Sequence, residues 1–161
     1  MSVHIESNKD DIAETVLERC TCLRRKFGAV IVKNDEIIST GYAGAPRGRK
    51  NCNELGYCAR EKMQIPRGER YEMCRSVHAE QNAIISASRN ELIGADLYMV
   101  GINAKTGEIE PKSTSCMMCK RVVINSGIKR VIVREPDNKY TIYNVIDWIS
   151  DDDSLNGKMG Y

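Results

Sequence analysis

No apolar run in this sequence approaches the roughly 20 residues that a helix needs to cross a bilayer. The opening residues, Met1-Ser2-Val3-His4-Ile5-Glu6, lack the charged-then-apolar pattern of an export signal, so the expectation is a cytoplasmic protein with no membrane partner. An excess of one charge is missing too. The 24 basic and 22 acidic residues leave a net charge of +2, without the cationic balance that marks most nucleic-acid binders. Nucleic acid is therefore not an expected partner, and an anionic substrate would have to be held by a few local side chains. There is no internal repeat or low-complexity tract. A chain of 161 residues suits one domain, 1–161, with a polar and mobile tail from about residue 150.

What the sequence does have is cysteine, seven in all. In a reducing compartment such thiols are kept out of disulfides, and clustered cysteines more often mean metal.

Residues 10–20 carry Ile12, Val16 and Cys20 at intervals of four, with acids at the start, which predicts an amphipathic helix. Residues 27–32 and 36–41 read as two strands of a hairpin, with Asn34-Asp35 as the turn. Residues 42–73 show neither period, an unusually long stretch for a compact domain, so something other than a core should organise them. A helix is predicted over 76–88, a strand over 97–101, a helix over 116–125 ended near Ser126-Gly127, and a strand over 128–133. Residues 140–149 suit either a last helix or a strand followed by a turn. The order predicts an α/β fold with one sheet covered by helices.

The residues that carry chemistry are His78-Ala79-Glu80 and, after a helix and a strand, Cys116-Met117-Met118-Cys119. Both open predicted helices, where exposed N–H groups favour thiolates, so Cys116, Cys119 and His78 form a candidate Zn²⁺ set. Three protein ligands leave a fourth position for water, whose pKa the metal lowers from ~15.7 towards ~7. Glu80, two residues from His78, would lie near the metal without ligating it and could shuttle protons. A lone C-x-x-C is ambiguous between a structural zinc knuckle, a redox pair and chance. Together with the preceding H-x-E, it matches the pattern of zinc nucleobase deaminases, with Ser115 where that pattern has proline.

Longer stretches extend the likeness. Cys22-Leu23-Arg24-Arg25 before Gly28-Ala29-Val30-Ile31-Val32, then Ile38-Ser39-Thr40-Gly41-Tyr42, then His78-Ala79-Glu80-Gln81-Asn82-Ala83-Ile84, and Gly127-Ile128-Lys129-Arg130-Val131, resemble successive motifs of the deoxycytidylate (dCMP) deaminases in the cytidine deaminase superfamily. The resemblance implies a three-layer α/β/α sandwich around a central mixed sheet, hydrolysis of dCMP to dUMP and ammonia, and zinc on His78, Cys116 and Cys119. By the same resemblance the Ala79 N–H meets the pyrimidine carbonyl. Glu80 holds and protonates N3 and then passes a proton to the departing amine. A symmetric homo-oligomer, often a hexamer in the family, is also implied.

Some relatives bind a structural zinc at positions matching Cys22 and Cys52; with Cys58 and Cys74 these could close a second tetrahedral site and organise residues 42–73, the alternative being buried free thiols. Ala43 stands where the family's Gly-Tyr-Asn-Gly turn has asparagine, so it offers nucleotide no side-chain hydrogen bond. Arg89 resembles a family arginine linked to nucleotide response. Arg24, Arg25, Arg47, Arg49 and Arg89 are candidates for a phosphate contact. Residues 103–110, with a turn at Lys105-Thr106-Gly107, read as an insertion that covers the site. The alternatives are a zinc deaminase of another base or nucleotide, tRNA adenosine among them, and a non-catalytic zinc-stapled module.

Overall fold

The computed structural model describes residues 3–152; the expected polar tail lies largely outside the described residues. Helix α1, Val3–Leu17, leads into strands β1, Arg25–Lys33, and β2, Glu36–Tyr42. Three short helical pieces follow: α2, Cys52–Leu55; α3, Ala59–Lys62; and a 3₁₀ turn, Tyr71–Met73. The chain continues with α4, Ala79–Ile85; α5, Arg89–Leu92; β3, Asp96–Asn103; α6, Met117–Ser126; β4, Arg130–Glu135; β5, Lys139–Asn144; and α7, Val145–Ser150.

The strands form one sheet in the order β2-β1-β3-β4-β5. The β3/β4 pair is parallel and the other three pairs are antiparallel, giving the mixed sheet expected from the sequence. Side chains alternate between two buried faces, which is why the strands read as nearly unbroken apolar runs. Val30, Val32, Tyr98, Val100 and Ile132 meet Ala13 and Leu17 of α1 on one face. Ala29, Ile31, Leu97, Met99, Val131 and Val133 meet α4, α5, α6 and α7 on the other. Helix, sheet and helices make the three layers.

Local chemistry explains the element ends. Asn34 and Asp35 both take positive φ, 50° and 64°, the pairing that a two-residue hairpin turn requires, and side-chain amides and carboxylates tolerate it. Helix α1 stops at Leu17, short of Cys20, because Glu18, Arg19 and Cys20 turn tightly through bonds to the carbonyls of Thr15, Val16 and Leu17. Gly127 closes α6 in the left-handed region, φ 86°. Residues 140–149 divide into the end of β5 and most of α7. Among the described residues no helix is long and apolar enough to cross a membrane.

Two glycines allow close layers. A Cβ on Gly28 would collide with the Ala13 carbonyl of α1, and one on Gly41 with the Ala79 carbonyl and Ala83 nitrogen of α4. Gly41 therefore sets how near the start of α4 lies to β2.

Residues 43–77 leave the sheet and return to it. Gly44 and Val77 exchange both backbone hydrogen bonds, 3.2 and 2.7 Å, closing the excursion at its base. Inside it, Asn51 Oδ1 accepts from Thr21 Oγ1 and the Ala45 N–H, both at 3.1 Å. Buried Arg60 donates to the carbonyls of Pro66 and Glu69.

Candidate metal centre and its cavity

The C-terminal ends of β2 and β3 and the N-terminal end of β1 share one edge of the sheet, because β1 runs antiparallel to both. The α4 and α6 starts lie at that edge, and the two helices pack against each other. His78 is the residue before α4 and Cys116 the residue before α6, both in extended backbone, ψ 157° and 167°. The His78 N–H is satisfied by Gln81 Oε1 at 3.1 Å, which fixes the entry to α4. The α6 entry keeps its geometry without the proline of the family pattern.

Three donors converge here. His78 Nδ1 lies 3.6 Å from Cys116 Sγ and 3.3 Å from Cys119 Sγ. Ideal zinc bonds of about 2.05 Å to nitrogen and 2.3 Å to sulfur at a tetrahedral angle place N and S about 3.6 Å apart, so the set fits the ion closely. Among the described residues, these three are the only group of three or more His, Cys, Asp or Glu donors lying within 4.8 Å of one another.

The electrostatics suit a cation. The Cys116 pKa is lowered to about 4, first by hydrogen bonding from Cys119, against the opposing effect of burial, and then by His78. Cys119 is raised by donating to Cys116 and by burial. Burial works against a charged His78, yet its bonds to Cys116 and Cys74 and the nearby Glu80 carry its pKa up to about 10. Protons shared among one imidazole and two sulfurs are what a divalent ion displaces when it binds.

Glu80 is 4% exposed on the first turn of α4, and burial pushes its carboxyl pKa up. Neighbouring Ser115, itself buried, pulls the other way through a hydrogen bond to that carboxyl. The Ser115 hydroxyl also lies 3.6 Å from Met99 Sδ.

The donors open on a cavity of about 620 Å³. From β1 and the residues before it come Cys22, Arg24, Arg25 and Phe27; from the end of β2, Ala43; from the excursion, Cys58, Arg60, Arg67, Tyr71, Cys74 and Ser76. Ala79 and Glu80 lie at the α4 start, and residues 111–117 with Lys120 complete the wall. Six of these residues are arginine or lysine against the single carboxylate of Glu80.

Sequence-predicted residues divide accordingly. His78, Ala79, Glu80, Cys116, Ala43, Arg24 and Arg25 share the cavity, with buried Cys119 among the donors beneath it. Arg24 is paired with Glu61 at 3.0 Å and Arg25 with Glu110 at 3.9 Å. Arg89 lies outside the cavity, donating to the Asn125 carbonyl at 3.0 Å, and exposed Arg47 and Arg49 are not part of the lining. Residues 103–110 do not cover the site: Ile102 bridges Ile109 beside the sheet, and the wall comes from residues 111–115 just beyond.

Cys22, Cys58 and Cys74 line the same cavity, with Cys52 buried nearby, but no three donors from these four cysteines come within 4.8 Å of one another. Sequence reasoning missed Phe27, Arg60, Arg67, Tyr71, Lys112 and Lys120. Phe27 is the only phenylalanine in the chain, a signal that was available; the others carry no motif.

Comparison with known proteins agrees with this geometry. Residues 7–135 match the family model described as the cytidine and deoxycytidylate deaminase zinc-binding region. The deoxycytidylate deaminase of Mycobacterium phage D29 is 36% identical over 126 residues, covering 75% of this chain and 87% of that protein. The deoxycytidylate deaminase of Schizosaccharomyces pombe is 33% identical over 135 residues, 84% of this chain but only 36% of that longer protein. Among solved structures, the dCMP deaminase of cyanophage S-TIM5 in complex with dCMP and dUMP superposes with a TM-score of 0.58 at 25% identity, covering 83% of each chain. The cytidine deaminase of Burkholderia pseudomallei, 17% identical with a TM-score of 0.56 over 94% of this chain and 98% of that one, shares the fold.

Proposed function

Because this chain belongs to the cytidine and deoxycytidylate deaminase family, we propose that it hydrolyses dCMP to dUMP and ammonia, with His78, Cys116 and Cys119 holding zinc and Glu80 moving the protons. One observation carries the reading: a three-donor zinc set and a buried carboxylate outside that set meet in one cavity. A purely structural zinc would have no use for Glu80.

Zinc bound to the three donors supplies Lewis acidity and brings the pKa of water down towards about 7. The protein's own groups do the rest. Burial raises the Glu80 carboxyl pKa, which suits a group that must both take and give protons near neutrality. In the proposed sequence Glu80 takes a proton from the attacking water and gives it to N3 of the pyrimidine, then takes the second proton from the hydroxyl now on C4 and delivers it to the amine as the C4–N bond breaks. The water oxygen remains on C4 as the new carbonyl. The Ala79 N–H, in the first turn of α4 where no intrahelical acceptor exists, is proposed to hold the pyrimidine carbonyl. The excess of cations around the cavity supports a phosphate-bearing substrate.

A second, structural zinc on Cys22, Cys52, Cys58 and Cys74 is part of the proposal. Its support is that Cys22, Cys58 and Cys74 share one cavity wall and that the charges of all three reach buried Cys52, so a metal would have to draw the four thiols together on binding. We also propose a cytoplasmic homo-oligomer acting on a free nucleotide rather than on nucleic acid, consistent with a net charge of +2.

Ammonia release from dCMP, CMP, dCTP and deoxycytidine, with purified protein of measured zinc content, tests the substrate. Turnover confined to dCMP is the expected result. Turnover of another member of the panel would relocate the specificity to a cavity in which Ala43 offers no side-chain hydrogen bond. No turnover of any of them by zinc-loaded protein would sink the dCMP reading.

A further inference from the structure

We propose that Arg60 and Tyr71 form a positioning brace for His78, holding its imidazole in the orientation that zinc requires. The inference rests on the zinc centre proposed above and is independent of the substrate.

The Tyr71 and His78 rings meet edge to face, with centroids 5.7 Å apart and planes at 78°. The Arg60 guanidinium lies over the Tyr71 ring, 4.5 Å from its centroid. Arg60 is itself immobilised: the side chain is 5% exposed, and one nitrogen, Nη2, donates to the Pro66 carbonyl at 2.9 Å and the Glu69 carbonyl at 2.5 Å. Those carbonyls belong to the backbone just before Tyr71. Arg60 therefore fixes both the ring and the chain that presents it. Arg70, between them, takes φ 49°, a conformation that a non-glycine residue keeps only when its surroundings impose it.

The consequence falls on Nδ1 of His78, which must face two sulfurs at once. An imidazole free to turn about its side-chain torsions would have to be ordered by the metal at the metal's expense in affinity. A ring already packed against Tyr71 is preorganised, and an edge-to-face ring contact of this kind shifts an equilibrium by about 2- to 10-fold. No sequence motif marks the pair.

The test measures zinc dissociation constants by chelator competition, without substrate, for wild type, Tyr71→Ala, Tyr71→Phe, Arg60→Lys and the Tyr71→Ala/Arg60→Lys double variant. Visible spectra of the cobalt-substituted proteins report the geometry of the centre. The brace predicts that Tyr71→Ala binds zinc about 3- to 10-fold more weakly with a shifted cobalt spectrum, while Tyr71→Phe stays within about twofold of wild type. Arg60→Lys should weaken binding less than Tyr71→Ala and add nothing in the double variant, because it acts through Tyr71.

Tyr71→Ala at wild-type affinity, Tyr71→Phe as weak as Tyr71→Ala, or additive effects in the double variant would each overturn the proposal. Should Tyr71→Ala fail to fold, Tyr71→Leu, which refills the volume without a ring, decides the same question. A wild-type protein that takes up no zinc would overturn the centre and the brace together, whereas tight wild-type binding unaltered by Tyr71→Ala overturns the brace alone.

Discussion

The sheet with its covering helices and the excursion of residues 43–77 both line the same cavity, yet they are held in place by different forces. The sheet is fixed by burial: Leu97, Val100, Val131 and Ile132 are 0% exposed, and their alternation leaves no second register with both faces covered. In the excursion short backbone turns are tied to one another by single side chains on backbone: Asn51 accepts from the Ala45 N–H, Arg60 donates to the Pro66 and Glu69 carbonyls, and Arg75 Nε donates to the Lys50 carbonyl at 2.6 Å. Apolar burial resists unfolding in bulk, whereas directional bonds of this kind set positions at modest net gain. The scaffold should therefore govern stability, and the excursion should govern how well the site is formed.

Substitutions can break that division, the most severe first. Leu97→Ala removes a fully buried side chain and should cost about 2–5 kcal/mol, lowering the thermal midpoint by several degrees, while zinc affinity of the folded protein is unchanged. Gly41→Ala tests the seam between scaffold and site. Its Cβ would collide with α4 backbone, so about 1–3 kcal/mol of stability and zinc affinity should fall together, and loss of stability alone would show that α4 can shift without moving His78. Asn51→Ala, within the excursion, should cost only about 1 kcal/mol in chemical denaturation yet weaken zinc or substrate binding. Arg89→Ala should be the quietest, within about 0.5 kcal/mol and with the KM for dCMP unaltered, because its guanidinium serves Asn125 outside the cavity.

The same difference decides what could be read from the sequence. Periodicity and turn chemistry marked the hairpin with its Asn34-Asp35 turn, the strand through Leu97, and α6 with its Gly127 stop, because those elements are dictated by local pattern and burial. His78, Cys116 and Cys119 were legible as a donor set because zinc binding demands those residue types near helix starts, and Glu80 lies in the same cavity because it shares the first turn of α4. Element ends drifted where backbone bonds rather than side chains decide them, as at Leu17. Residues 43–77 gave no period because their organisers act singly: nothing near Arg60 in sequence announces two carbonyls six and nine residues away. The wall at residues 111–115 was misplaced onto the turn before it, since Lys105-Thr106-Gly107 marks where the chain reverses but not which limb faces the cavity.

The proposed chemistry depends on Glu80 acting beside a metal that it does not hold. The decisive measurement compares zinc content and ammonia release from dCMP in wild type and Glu80→Gln. Equal zinc in both proteins, with turnover reduced about 10²- to 10⁴-fold or more in the variant, is the predicted result. Turnover that survives the substitution, or zinc lost along with it, would contradict the division between a three-donor metal set and a separate proton carrier.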